Sequence, residues 1–243
     1  MDIKHSDQFE RGNALFFILI AVVLLGLLTM ILSRGGSSTD QTGDFEQNRV
    51  IAAQVLRYSK SVEAAIQQMQ FRGVSENAIS FENGDTTTDY TNSRCDDVSD
   101  RSFPSCQIFD VEGGGLTYRD FPSANDGSDW IFSGANNVGT AAGPIGSTAD
   151  GGGNDIIMLL PNVDDGVCIQ INRDLGVGVS GTLPIDTNGI STAAFTGAFA
   201  SGSISILDGD PTPFELDSEA AGCFIDAAPD PDVTYFYQVV LAR

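Results

Sequence analysis

Histidine is all but missing from this chain: of 243 residues only His5 is one. Its scarcity removes the commonest general base, the commonest neutral metal ligand and any histidine-centred triad from the rest of the sequence. Basic residues are also scarce, twelve against 33 acids, for a formal charge of −21. A polyanion of that density is repelled by phosphate backbones and anionic lipid headgroups alike, so nucleic acid is not expected as a partner. There is no Cys-x-x-Cys pair, no Gly-x-Ser-x-Gly elbow, no His-Glu-x-x-His and no glycine loop closing on Lys-Ser or Lys-Thr. Carboxylate pairs abound, but among 33 acids a pair at any spacing carries no information. The chain reads as a non-enzyme, with a glycan-cleaving domain as the remote alternative.

The charge is unevenly placed. Residues 1–72 are formally neutral, with seven bases and seven acids, so the whole excess of negative charge follows Arg72. Before it, residues 14–32 read ALFFILIAVVLLGLLTMIL, without a charge and interrupted mildly by Gly26 and Thr29. Nineteen helical residues reach about 28 Å, close to the hydrocarbon thickness of a bilayer. A buried helix of a water-soluble protein would keep a polar face, and this run has none. A cleaved secretory signal is the rival reading. The run is long for one, and Arg34 follows where small neutral residues are expected. A transmembrane helix over 13–33 is therefore expected. Lys4 and Arg11 precede it and Arg34 follows, a weak bias towards an N-terminus in the cytoplasm.

Four cysteines, Cys95, Cys106, Cys168 and Cys223, allow three pairings. Cys95–Cys106 and Cys168–Cys223 are favoured, the first closing the loop DDVSDRSFPS. Zinc would require all four thiolates, none of them in a Cys-x-x-Cys pair, and is not expected. Disulfides suit an oxidising periplasm, which places the acidic part outside the inner membrane.

Past the apolar run, 34–43 is a Gly/Ser/Thr-rich segment and an expected flexible break. Over 44–72, Ile51, Val55, Tyr58, Val62, Ala65 and Met69 recur at alternating spacings of four and three, predicting an amphipathic helix. Asp44 is its candidate start and Gly73 its candidate end. The stripe serves either the chain's own core or packing between subunits. Residues 73–243 turn to short apolar runs set among Gly, Asn, Asp and Ser. Strands are predicted at Leu116–Tyr118, Trp130–Phe132, Ile156–Leu160, Val167–Ile171, Ile204–Leu207 and Tyr235–Leu241. The fold class is α+β: a long N-terminal helix, a transmembrane half plus an amphipathic half, packed on a mainly antiparallel β-sheet domain with long loops.

No cofactor is expected, and the one ligand the residues suggest is calcium. Asp208-Gly209-Asp210 is the leading oxygen-rich turn, beside Asp164-Asp165-Gly166, Asp186-Thr187-Asn188-Gly189 and Asp230-Pro231-Asp232. None completes a twelve-residue calcium loop, and turn formation alone accounts for such residues more readily.

Glu10-Arg11-Gly12, followed by the apolar run from Ala14, resembles the start of type IV pilin-like proteins and of the pseudopilins of secretion systems. The resemblance implies a leader over 1–12, cut on the cytoplasmic face after Gly12, leaving Asn13 as the new N-terminus. It also implies a helix whose apolar half, with Phe17 and Gly26, packs against other subunits in a filament. The family's major subunits carry a glutamate at the fifth residue after the cut. Phe17 stands there, which points to a minor or atypical subunit. The expected function is that of a subunit anchored in the inner membrane and assembling into or onto a filament, with other copies or related subunits as partners. The rival is a membrane-anchored binding or adhesion module that does not polymerise.

Overall fold

The computed structural model describes residues 11–84, 88–95, 105–138, 153–177, 181–200, 204–206, 216 and 219–243, with 11–14, 32–42 and 204–206 described by their backbone alone. The fold is α+β. Helix α1 spans Arg11–Phe71, and a 3-10 turn follows at Glu76–Ala78. Then come β1 (Ile131–Val138), β2 (Asp155–Pro161), α2 (Asp165–Leu175), β3 (Ile185–Asp186), β4 (Ile204–Ile206), β5 (Ala221–Asp226) and β6 (Val233–Leu241). The chain divides into two compact units, Met1–Gln47 and Asn48–Arg243. Nearly all of the amphipathic segment, from Asn48 on, therefore belongs with the sheet.

The expected break over 34–43 is not one: α1 is assigned as helix through it. No proline lies within α1, and Gly, Ser and Thr lower helix propensity without forbidding it. The same continuity makes Asp44 an internal residue rather than a cap. The C-terminal end is as expected, with Gly73 at φ +88°, a conformation that suits glycine.

The six strands form one mixed sheet in the order β3-β5-β6-β2-β1-β4. The long pairings β1–β2, β2–β6 and β5–β6 are antiparallel, while the short edge strands β4 and β3 join parallel to β1 and β5. Both faces are covered, and successive side chains serve them in turn. On β2 and β6, Ile156, Met158, Leu160, Phe236 and Val240 enter a core shared with α1. Ile157, Leu159, Tyr235, Tyr237 and Val239 enter a second cluster on the opposite face, with Phe224 and Leu216. Burial on both faces explains why DIIMLLP is almost wholly apolar rather than alternating.

Against the first face lies the C-terminal half of α1. Val55, Val62, Ile66 and Met69 are fully buried, and the Tyr58 ring lies 5.8 Å from that of Trp130 and 5.5 Å from that of Phe121. Trp130 is held by its indole N–H, which donates to the Arg119 carbonyl at 3.0 Å, and by its backbone N–H, which donates to the Tyr118 hydroxyl.

Two strand expectations fail. Val167–Ile171 lies in α2, because Asp164 caps its start, accepting from the Gly166 N–H at 2.9 Å, and Gly176 ends it at φ +77°. Val167, Cys168 and Ile171 then share one helical face, all buried. Leu116–Tyr118 is no strand. Its Leu116 N–H donates to Ile108 in a local turn, and the Tyr118 hydroxyl instead supports Trp130. Of Ile204–Leu207, Ile204–Ile206 is β4 and Leu207 lies outside the described residues. β3 and β5 were not anticipated. Ala221-Gly222-Cys223 at the head of β5 reads as turn material, and its strand state comes from six paired residues on β6.

Both favoured disulfides are present, Cys95–Cys106 and Cys168–Cys223, with Cα atoms 5.6 and 5.4 Å apart. The second ties α2 to β5. Asn172 repeats the tie without a covalent bond: its amide donates to the Cys223 carbonyl at 2.9 Å and accepts the Cys223 N–H at 2.7 Å. All these groups are buried, so Asn172→Leu strands two backbone polar groups and is expected to cost about 2–4 kcal/mol. Chemical denaturation checks it. A cost below about 1 kcal/mol would show that Asn172 does not hold this junction.

Candidate assembly surface

The first unit presents its apolar side chains outward. Among the described residues of α1 from Leu15 to Ile31, the large hydrophobic side chains are 38–70% exposed, Phe17 at 63%. Because nearly every successive position is apolar, the exposure rings the helix instead of forming a stripe. The one hydroxyl in this stretch, Thr29, donates to the Gly26 carbonyl at 2.9 Å, which satisfies it within the helix. A Cβ added at Gly26 would meet nothing within 4 Å. Among the described residues no helix is long and apolar enough to cross a membrane. Those residues hold side chains 15–31 of the apolar run but neither of its ends, Ala14 and Leu32.

The other expected packing residues are used differently. Ile51, Val55, Tyr58, Val62 and Met69 are buried in the core of the second unit. The two uses left open by their spacing are thereby separated: these five serve the chain's own domain. Gly12 and Asn13 lie in the first turn of α1, which is described by its backbone alone.

The calcium residues Asp208 and Asp210 lie outside the described residues as well. Of the other oxygen-rich turns, Asp164 caps α2, and Asp186 accepts the Asn188 N–H at 2.8 Å, turn-forming roles that occupy oxygens a cation would need. Among the described residues no group of three or more His, Cys, Asp or Glu is placed to hold a metal ion. A cleft of about 30 Å³ beside Cys95–Cys106, lined by Gly73, Val74, Ser75, Ala78 and Arg94, has room for about one or two waters and none for an organic substrate.

One buried ionisable group was not anticipated. Asp155, at the head of β2, is wholly inaccessible to solvent. One carboxyl oxygen accepts the Arg243 N–H at 3.0 Å, and the other has no hydrogen-bond partner. Burial pushes its pKa up to about 7, against the smaller opposing pull of the Arg243 and Val138 N–H groups and the Arg243 charge. Arg243 itself is fixed by Glu76 at 3.1 Å and lies over the Phe199 ring at 3.9 Å. The only hint in the sequence is an acid opening an otherwise apolar strand.

Comparison of the chain with protein-family models, curated proteins and solved structures finds no match. Among the described residues, the exposed apolar ring of Leu15–Ile31 on α1 is the largest surface feature left without a partner in its own chain.

Proposed function

We propose that this chain is a pilin-like structural subunit, anchored in the inner membrane by the apolar run 14–32 and assembling through that helix into or onto a filament. The observation that carries the reading is the exposed apolar ring of Leu15–Ile31 on the same helix whose later residues form the core of a disulfide-bonded domain. An apolar surface of this extent is unstable in water and implies lipid or apolar helices around it. The full run of nineteen residues, about 28 Å of helix, matches a bilayer. Two disulfides fit a domain on the oxidising side of that membrane. The leader-like Glu10-Arg11-Gly12 supplies the processing step, with cleavage after Gly12 leaving Asn13 first.

Intact-mass measurement of native protein tests processing: a chain still carrying residues 1–12 removes the most specific support for the reading. Gly26→Leu tests assembly. In lipid alone the substitution is neutral, since lipid tails are as apolar as leucine, whereas between helices a missing Cβ permits close approach. With nothing within 4 Å of the new Cβ, the subunit itself has no clash to relieve. Normal membrane insertion is expected with about tenfold less protein in sheared filaments or cross-linked oligomers, equivalent to about 1.4 kcal/mol. Wild-type oligomer yield would favour a stand-alone anchored binding module.

A further inference from the structure

We propose that the exposed face of α1 from Arg49 to Ala64 docks on the acidic end of the sheet domain of a second copy of this chain. The inference rests on the assembly reading and names the polar contact that would accompany it. Arg49, Ala53, Arg57, Lys60 and Ala64 are all exposed, at spacings of four, four, three and four residues. That spacing sets them on one helical stripe, with the three cations spread over about 16 Å. The opposite face of the same helix is the buried one, from Ile51 to Met69. Ala53 between the cations and Ala64 just beyond them leave the stripe low, so a partner surface can approach the backbone closely.

These cations are little used by their own domain. Arg49 and Arg57 make no ion pair among the described residues, and Lys60, paired with Glu63 at 2.9 Å, keeps 54% of its side chain exposed. Arg72, by contrast, is spent on the carbonyls of Glu112 and Gly113. The complementary surface lies where β2 ends, α2 begins and β6 begins. Asp126 accepts from Asn162 at 3.1 Å, and Asp164 and Asp165 follow directly. Thr234 donates to Asp165 at 3.0 Å, with Asp232 two residues before it. All four acids are exposed, and none makes an ion pair among the described residues.

Charge decides the occupant. With the whole −21 excess after Arg72, any assembly of these chains brings like charges together unless acids meet cations locally. A stripe of cations facing four unpaired acids on a neighbouring copy relieves that repulsion within a Debye length of about 8–10 Å. Anionic lipid would face the repulsion of the acidic domain without offering such relief, and is the alternative occupant to be tested.

The experiment cross-links the full chain, as a mixture of ¹⁴N- and ¹⁵N-labelled protein in membranes, with a zero-length carbodiimide reagent. Mixed-isotope peptides joining Lys60 to Asp165 or Asp232 are expected, and about tenfold fewer at 0.5 M salt. Arg57→Glu with Lys60→Glu should lower oligomer yield about tenfold, and adding Asp165→Lys with Asp232→Lys should restore most of it. Oligomers formed at wild-type yield by the charge-reversed chain would overturn this docking while leaving helix-driven assembly intact. Loss of all oligomers in the wild-type chain would overturn both. Charge-sensitive binding to phosphatidylglycerol vesicles without mixed-isotope links would assign the stripe to lipid instead.

Discussion

Replacing Cys168 and Cys223 by alanine is expected to lower the stability of the sheet domain by about 4 kcal/mol. The two residues are 55 positions apart, and constraining a loop of that length in the unfolded chain accounts for most of this figure. Both sulfurs are fully buried between α2 and β5, so the alanines also leave a small void. For a domain of this size the midpoint of thermal unfolding should fall by roughly 8–16 °C. The Cys95–Cys106 bridge closes a separation of only 11 and should cost less, about 3 kcal/mol on the same reasoning. Calorimetry on the two alanine pairs ranks them. Equal losses, or a larger loss for the Cys95–Cys106 pair, would show that loop length does not set the stabilisation here.

That junction also shows where sequence patterns are informative. Periodicity identified the C-terminal half of α1 because one apolar stripe over many turns has few alternative explanations, and Ile51, Val55, Tyr58, Val62 and Met69 are buried as the spacing implies. It located β2 and β6 because long apolar runs rich in Ile, Val and Tyr have nowhere to go but a sheet core. It misassigned α2, since five apolar-leaning residues cannot distinguish a buried strand from one buried helical face. The deciding features were the terminators, Asp164 before and Gly176 after. β5 was invisible for the opposite reason: Gly222 and Cys223 have weak strand preference and are ordered by their neighbour β6.

Legibility of function follows the same division. The apolar ring of α1 is a property of composition and could be read directly from residues 14–32. The basic stripe needed the structure. Arg49, Arg57 and Lys60 are merely polar residues in a helical pattern until Ile51–Met69 are shown to face inward. The structure also reassigns a surface. The spacing of the apolar stripe leaves its use open between the chain's own core and other subunits; its own domain buries it, leaving a charged face outward. On the proposed reading, contacts between copies through the helix beyond residue 48 are polar and salt-sensitive, and those before it apolar.

Stability of the sheet domain is expected to fall as pH rises from about 4 to about 7, and Asp155 is the cause. In the unfolded chain this carboxyl has an ordinary pKa near about 4. In the folded chain burial raises it to about 7, so between these values the native state holds a proton that the unfolded state has released. A state that binds more protons is favoured by acid, and the contribution is complete below about pH 4 and gone above about pH 7. The full difference is on the order of 2–4 kcal/mol, the lower end allowing for relaxation around the ionised group. The opposite trend, stability lost on acidification, is the usual one for carboxylates with cationic partners, which makes the sign diagnostic. Asp155→Asn keeps the acceptor for the Arg243 N–H and mimics the neutral acid. It should match the parent chain to within about 0.5 kcal/mol at pH 4, exceed it by on the order of 2–4 kcal/mol at pH 8, and flatten the profile between. Urea denaturation of both chains at the two pH values makes the comparison. A variant whose profile keeps the parent's slope would place the ionisation elsewhere. One that is weaker than the parent at pH 8 would mean that the carboxylate is held ionised at the head of β2, with Arg243 outweighing the cost of burial.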